Sequence, residues 1–400
     1  MPTQFKKKRS CITQLLEVME DFTLMIEGNN NIDIIYLDFR KAFDTVPHQR
    51  LLTKLKSYGI SGPLHEWIKN FLTGRTQKVR INSHFSSKTE VHSGIPQGSI
   101  LGPILFTIFV NDLPEGIKSI CKIFADDTKI YNTTNCSSTI QEDITHLQNW
   151  SNMWHLYFNV SKCKVLHIGT KTDRNKDSYY MEHEKEEKQI ETCDQEKDLG
   201  VIFDEKLDFN KHIESAINKA NRMLGVIKKS FSYLDKNIFL KLYKSMVRPH
   251  LEYGNIIWHP MYKKQSISIE KVQRRATRLL KECKGMTYIQ RLKYLDIHSL
   301  KGRRLRGDLI ETFKIFNGFT DLKVNKFFMQ PTSERTRNSE RKIFIQFHKN
   351  KMRRNFFSVR VAPHWNSLTN TMKYATNTNL FKNLMDNDHI LREIFYSYDE

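Results

Sequence analysis

The chain has 400 residues, 39% of them hydrophobic, and its 64 Lys and Arg outnumber its 44 Asp and Glu to give a net charge of +20. A chain of this length can bury the cores of two or three domains, which excludes disorder over its whole length. The charge favours a polyanionic partner over a small acidic ligand, with a merely soluble basic surface as the alternative. No apolar run approaches the length of a membrane span, so no membrane partner is predicted.

The chain opens with a predicted helix, a buried strand and a second helix. Apolar residues recur at helical spacing over Ile12–Ile26, which predicts an amphipathic helix that stops at Gly28. Residues Ile32–Phe39 are rich in Ile and Tyr and predict a buried strand. That strand places Asp38 at its end. A helix is then predicted over Pro47–Tyr58, since proline suits the first helical turn.

A glycine-containing loop interrupts the elements that follow. Residues 62–74 predict a helix, and Gln77–Ile81 predict a strand. The run Ser93–Ser99 contains two glycines and a proline, which predicts a loop, and an apolar helix follows from Leu101. A loop that leads directly into a helix is a good place to hold a phosphate or a base.

A second acidic motif lies on a predicted hairpin. Lys122–Tyr131 predicts two strands with Ala125, Asp126 and Asp127 at their tip. Two divalent cations about 3.5–4 Å apart can activate a hydroxyl nucleophile and neutralise a leaving group, and hard cations prefer oxygen ligands. Asp38, Asp126 and Asp127 are therefore candidate ligands. Taken singly, Asp38 could instead cap the next helix, and the pair could be an ordinary turn.

The remainder of the chain predicts one charged loop and then mainly helices. Thr139–Leu156 predicts a helix, and Lys171–Lys197, which has few core residues, predicts an exposed hairpin or a flexible loop. The pattern is mainly helical from Leu207 to about Phe316. The last segment, Lys342–Leu384, is basic and aromatic, with Trp365 and Phe381 as expected core anchors.

Positive charge concentrates in the helical part. Arg222–Arg304 holds 20 Lys and Arg against 5 Asp and Glu. Five of these cations recur at spacings of three and four on a predicted helix beside apolar residues: Lys271, Arg274, Arg275, Arg278 and Lys281. Such a face can follow a nucleic-acid backbone without reading bases, although a solvated helix surface would look the same.

The order of the motifs is more specific than any one of them. Asp38–Phe43, Ser93–Pro103 and Phe124–Asp127 occur in the order and spacing of reverse transcriptases. More narrowly, the chain resembles the polymerase of LINE-type, non-LTR retrotransposons of the jockey kind. That resemblance extends over nearly the whole chain from about Ser10, through Asn159–Lys164, Asp198–Val201, Val247–Gly254, Phe357–Val361 and Trp365–Leu368.

The resemblance implies an α+β fold of the right-hand polymerase type. Residues 1–206 would form partial fingers and the catalytic palm, residues 207–316 a helical basic thumb, and residues 317–400 a basic and aromatic C-terminal region. No segment resembles an endonuclease or the early fingers, and Gln4–Cys11 resembles a finger motif without its glycines. A maturase or a telomerase-like relative would share the palm motifs, but the thumb and tail favour the jockey kind.

The resemblance also implies roles for matching residues. Asp38 and Asp126 would be the principal ligands of two Mg²⁺ ions, with Mn²⁺ as a substitute, helped by Asp127 and the backbone carbonyl of Phe39. The ring of Phe43 would exclude a ribose 2′-hydroxyl, so that the product is DNA.

Further roles concern the nucleotide and the primer. Gln97 and Gly98 would contact the incoming nucleotide, and Lys162 would lie near the leaving pyrophosphate unless it is a solvated lysine. Leu199, Gly200 and Val201 would grip the primer end, and the five cations of the basic helix would contact the nucleic-acid backbone.

The implied function is RNA-directed DNA polymerisation from a DNA primer on an RNA template, with dNTPs as substrates. The alternative is a catalytically impaired relic that still binds nucleic acid. The resemblance implies a nuclear location, with a cytoplasmic ribonucleoprotein phase also compatible. No protein partner is predicted.

Overall fold

The computed structural model describes residues 8–169, 177–184, 186–330 and 341–399, and its chain forms two compact units. Unit 1 consists of Met1–Cys11 and Asn30–Asp194, and unit 2 of Ile12–Asn29 and Gln195–Glu400. The first residues of the expected finger motif, Gln4–Lys7, lie outside the described residues, as do residues 170–176 of the charged segment.

Unit 1 is built around a five-stranded sheet. The strands of unit 1, which include those of smaller two-stranded sheets, are β1 (Ile32–Leu37), β2 (Thr76–Gln77), β3 (Arg80–Ile81), β4 (His84–Phe85), β5 (Thr89–Glu90), β6 (Ile120–Phe124), β7 (Asp127–Thr133), β8 (Lys164–Ile168), β9 (Tyr180–His183), β10 (Glu186–Gln189) and β11 (Glu191–Cys193). The order in the main sheet is β11-β8-β1-β7-β6, with β11 parallel to β8 and the other pairs antiparallel. Because β1 is the middle strand, it reads as a nearly continuous apolar run.

The helices of unit 1 cover the sheet and close its core. They are α2 (Ala42–Thr45), α3 (His48–Ser57), α4 (Gly62–Leu72), α5 (Leu101–Phe109) and α6 (Ser137–Trp154). Ile35 of β1, Phe109 of α5 and Leu147 of α6 are fully buried in one hydrophobic cluster. These helices and strands confirm the expected order of elements around the first acidic motif.

A buried lysine connects three of these elements. The Lys54 ammonium lies 2.5 Å from Asp112 Oδ1 and 3.8 Å from the centre of the Trp154 ring. Burial lowers the pKa of Lys54 to about 8, against the opposing effect of Asp112. The lysine therefore links α3 to the end of α5 through a charge and to α6 through an aromatic face.

Two expectations for unit 1 are wrong in part. The strand expected over Gln77–Ile81 is divided, because β2 pairs with β5 while β3 pairs with β4. The charged segment before Lys197 does contain the expected hairpin, β9 with β10, but it is not merely exposed. Tyr179, Met181 and Ile190 are at most 2% exposed, since they complete the core at the sheet edge where β11 pairs.

Unit 2 is mainly helical, as expected. A hairpin of β12 (Gln195–Asp198) with β13 (Val201–Asp204) lies between its first helix and the others. The helices of unit 2 are α1 (Cys11–Glu27), α7 (Asn210–Ser230), α8 (Lys236–Leu242), α9 (Arg248–Glu252), α10 (Lys263–Thr277), α11 (Tyr288–Leu295), α12 (Leu300–Phe316), α13 (Val324–Phe327), α14 (Lys351–Asn355), α15 (Phe357–Arg360), α16 (Ala362–Asn366), α17 (Asn370–Lys373), α18 (Thr378–Asn387) and α19 (His389–Tyr396). Trp365 and Phe381 are fully buried, as anticipated.

The N-terminal helix α1 ends before Gly28, as its pattern predicts, but it packs with the C-terminal residues of unit 2. The Glu20 carboxylate is buried and accepts hydrogen bonds from Arg353 Nη2 at 2.8 Å and Ser358 Oγ at 3.2 Å. Arg353 Nη1 also donates to Thr23 Oγ1 at 2.9 Å. A buried ion pair thus joins α1 to the C-terminal part of unit 2.

No helix in the described ranges is long and apolar enough to cross a membrane. The predicted boundaries at residues 206 and 316 remain predictions.

Candidate active site

The two acidic motifs lie at the same end of the central sheet. β1 and β7 pair antiparallel from Ile32 with Thr133 to Leu37 with Thr128. One further step of this register sets Asp38 opposite Asp127. Directly opposed residues of an antiparallel pair lie side by side on one face. Asp126 is adjacent, in the turn between β6 and β7, so all three carboxylates share one sheet end.

Local backbone geometry explains these positions. Ala125, at the tip of the hairpin, has a left-handed conformation with φ of 57°, which is how a two-residue turn follows the twist of its strands. On the other side of β1, Asn159 donates its backbone N–H to Asp38 O at 2.7 Å. The Phe39 ring stacks on Phe158 at 4.6 Å. Asp38 is therefore held by a backbone hydrogen bond on the side of Asn159.

One oxygen of Asp38 has an unusual environment. Although the side chain is 39% exposed, Oδ2 itself is buried and accepts no hydrogen bond. The Lys162 ammonium lies 3.6 Å from it, an ion-pair distance beyond hydrogen-bond length. A buried carboxylate oxygen without a donor is a suitable ligand for a hard cation. The donor set thus fits divalent ions, although no three acidic, His or Cys side chains converge as a metal site among the residues described.

The loop Ser93–Ser99 packs against the residues that follow Asp38. Ser93 Oγ donates to Asp44 O at 3.0 Å, and Gln97 Nε2 donates to Asp44 Oδ1 at 2.9 Å. A Cβ at Gly94 would lie 2.5 Å from Asp44 O, and φ there is +88°. Only glycine permits this approach. At Gly98, whose φ is +80°, a Cβ would meet nothing within 4 Å.

Two residues that the sequence did not single out hold the same loop. His48 Nε2 lies 2.8 Å from Gly94 O, and Arg75 Nη2 donates to that oxygen at 3.1 Å. Burial lowers the pKa of His48. The only sequence signal for either residue is a polar side chain at the start or end of a helical pattern, which is too common to identify a site.

Phe43 lies beside this loop with its ring fixed by packing. Its ring is stacked on Phe106 of α5, with centres 4.7 Å apart. Phe43 is only partly buried, so part of its side chain is accessible. Phe39 and Phe43 therefore both pack in the hydrophobic core of unit 1, and Gln97 contacts Asp44, the residue after Phe43.

The candidate primer grip lies in unit 2, at the turn between β12 and β13. Leu199 and Gly200 both have positive φ, 43° and 89°, as a tight hairpin turn requires. Tyr253 Oη donates to Leu199 O at 2.7 Å, and a Cβ at Gly200 would lie 2.8 Å from the Tyr253 ring. The motif Val247–Gly254 therefore supports this turn, a role that sequence reasoning missed.

A buried histidine also supports the hairpin. His212 Nδ1 accepts the backbone N–H of Ile202 at 3.1 Å, and the ring packs on Trp258 at 5.1 Å. Burial, with a smaller effect of Lys219, lowers the pKa of His212 to about 4. The imidazole is therefore neutral at pH 7, as its acceptor role requires.

This histidine predicts a pH dependence of stability. The folded pKa of about 4 lies below the ordinary value of 6.5, so the folded state resists protonation. The free energy of unfolding should fall as pH decreases from about 6.5 to about 4, by roughly 3 kcal/mol from this group. Urea unfolding at several pH values from 7 to 4.5 measures this fall in the free energy of unfolding. The His212→Gln variant should show a smaller pH slope than the parent, whereas exposed His389→Gln should retain it; equal slopes in all three proteins would contradict the prediction.

The basic helix α10 is shorter than expected. It ends at Thr277, so Arg278 caps it and Lys281 lies in a following 3₁₀ turn. Four of the five cations are exposed: Lys271, Arg275, Arg278 and Lys281. Arg274 instead packs over the Tyr288 and Tyr398 rings, at 5.0 and 4.3 Å. Its position favours a packing role, while the other four face solvent.

Known proteins are similar to this chain over much of its length. The family profile described as "Reverse transcriptase (RNA-dependent DNA polymerase)" matches residues 3–234. The chain is 28% identical over 291 residues to the probable RNA-directed DNA polymerase from transposon X-element of Drosophila melanogaster, covering 70% of this chain and 31% of the relative.

A second relative is similar at the same level. The RNA-directed DNA polymerase from mobile element jockey of Drosophila funebris is 30% identical over 277 residues, covering 62% of this chain and 28% of the relative. The chain thus spans about a third of the length of the relatives that it matches. The likeness to polymerases of the jockey kind, drawn from the motifs, is confirmed.

Proposed function

The chain belongs to the reverse transcriptase family, and on that premise we propose that it is an RNA-directed DNA polymerase that extends a DNA primer on an RNA template with dNTPs. The observation that carries the proposal is the shared sheet end of Asp38, Asp126 and Asp127. The jockey and X-element relatives are themselves named as RNA-directed DNA polymerases.

Reverse transcriptases generally use divalent metal ions. We propose that Asp38, Asp126, Asp127 and the Phe39 carbonyl hold two Mg²⁺, with Mn²⁺ as a substitute. Bound there, the ions would supply an activated 3′-hydroxyl and neutralise the departing pyrophosphate. The buried, donor-free Oδ2 of Asp38 supports this assignment.

In this proposal Lys162 donates a proton to the leaving group. Its side chain is 68% exposed, and its ammonium is within 3.6 Å of Asp38 Oδ2. An ammonium at this point can approach a phosphate oxygen and transfer a proton to it. The loop with Gln97 and Gly98 would position the nucleotide, and the turn at Leu199–Val201 the primer end.

Primer extension by the purified chain tests the function. The chain should extend a labelled DNA primer on an RNA template with dNTPs and Mg²⁺. Binding of the primer–template without extension would favour the nucleic-acid-binding relic, which the exposed cations of α10 also support. Imaging of a tagged chain would test the proposed nuclear location.

The proposal predicts a change in sugar selectivity when Phe43 is replaced. In Phe43→Val the ring that would meet a ribose 2′-hydroxyl is gone, so discrimination between dNTP and rNTP should fall roughly 10- to 100-fold. Steady-state kcat/KM for dCTP and CTP measures this ratio. Phe106→Leu is the matched control: it loosens the stacking partner at 4.7 Å but leaves the Phe43 ring, and should change the ratio less. An unchanged ratio in Phe43→Val would refute the gate.

A further inference from the structure

Unit 2 contains a cavity of about 420 Å³ that none of the predicted site residues lines. Five cations line it: Lys244, Arg248, Arg303, Arg306 and Arg392. Two carboxylates, Asp296 and Asp386, also line it. The cavity therefore carries an excess of positive charge, contributed by segments from the turn before α9 to α19.

Carboxylates orient two of the guanidiniums. Arg306 donates from Nε and Nη2 to the two oxygens of Asp386, at 2.8 and 2.7 Å. Arg303 makes the same two-bonded pair with Glu252. Each pair engages two of the five N–H donors of its arginine. The guanidiniums are thus held in fixed directions with further donors not engaged by these carboxylates.

The backbone at the cavity wall departs from a regular helix. Tyr243–Val247 forms a π-helical turn that contains Lys244 and leads directly into Arg248. Such turns are rare and are frequently found at functional sites. Arg248 is only 19% exposed, and its Nε lies 3.5 Å from Glu252 Oε2, the same carboxylate that pairs with Arg303. Burial and the Arg303 guanidinium lower the pKa of Arg248, against the opposing effect of Glu252. One carboxylate thus serves two arginines, and a further anion would stabilise these crowded cations.

We propose that this cavity binds the phosphate backbone of a single strand of nucleic acid. Fixed guanidinium forks match phosphate oxygens in geometry and charge. A cavity of this volume accommodates a nucleotide or two but not a duplex. The site is formed by residues other than the exposed cations of α10, and it does not depend on whether the chain polymerises DNA.

Salt-dependent binding of a labelled 20-nucleotide single-stranded RNA to the full chain tests the proposal. Lys244 and Arg392 are exposed, so their replacement by Gln removes charge without breaking the two oriented pairs. Each phosphate contact on a single strand contributes about 0.7 to the slope of log K against log salt. The double variant Lys244→Gln with Arg392→Gln should lower this slope by about 1.4, and affinity near 0.1 M salt by up to about 25-fold.

Matched proteins and ligands make the result specific. The double variant Lys244→Arg with Arg392→Lys keeps both charges and should bind as the parent does. A duplex of the same length should lose little affinity in the Gln variant, and millimolar inorganic phosphate should not displace the strand. Thermal melting establishes that the variants are folded. An unchanged slope, an equal loss for strand and duplex, or displacement by inorganic phosphate would overturn the proposal.

Discussion

Asp126→Asn is expected to lower the rate of primer extension by about 10²–10³-fold while leaving the fold intact. A neutral amide is a poorer ligand than a carboxylate for a hard divalent ion, and loss of one such electrostatic contact costs several kcal/mol in the barrier. Asn suits the turn between β6 and β7 as well as Asp does, so the hairpin should persist. Single-turnover extension on a primed RNA template measures the change.

Two further measurements separate chemistry from binding and folding. Asp194→Asn changes an exposed carboxylate of the same unit and should extend at the parent rate. Fluorescence anisotropy with labelled primer–template should give similar affinities for the parent and Asp126→Asn. Extension by Asp126→Asn at more than a tenth of the parent rate would remove Asp126 from the catalytic group.

Arg353→Met is expected to lower the free energy of unfolding by about 3–5 kcal/mol. The Arg353 side chain is 7% exposed and that of Glu20 is 1% exposed, so the change leaves a carboxylate buried without its cation. Burial already raises the pKa of Glu20, because desolvation outweighs the attraction of Arg353. Urea unfolding monitored by circular dichroism measures the loss.

The neighbour Arg354 offers a matched control, since it is exposed. Arg354→Met should change stability by less than about 0.5 kcal/mol. The double variant Glu20→Leu with Arg353→Met replaces the whole pair by apolar groups and should recover much of the loss. A loss below about 1 kcal/mol in Arg353→Met would show that the pair does not hold α1.

Sequence reasoning predicted well where one local pattern decides the structure. The apolar run before Asp38 is a strand because β1 lies in the middle of a sheet, and Ala125-Asp126 is a turn because apolar strands flank it. The same applies to the cationic spacing on α10, whose exposed residues follow from helical periodicity. The end of that helix was placed too late, since no glycine or proline marks Thr277.

The features that sequence reasoning did not predict depend on contacts between distant residues. Nothing local distinguishes Tyr179 and Ile190 from an exposed loop, because their burial comes from the sheet edge. The support of Leu199 by Tyr253 joins residues 54 positions apart. Likewise, the apolar face of α1 predicts a helix but not that its partner lies in the C-terminal region.

That last contact has a consequence for the time course of biosynthesis. Glu20 and Arg353 are separated by 333 residues, so a ribosome adding 5–20 residues per second makes the second about 20 to 70 s after the first. During that interval Glu20 and Thr23 of α1 lack their hydrogen-bond partner Arg353. The nascent helix α1 therefore waits for this partner throughout that interval, and an incompletely packed amphipathic helix is the kind of segment that chaperones bind.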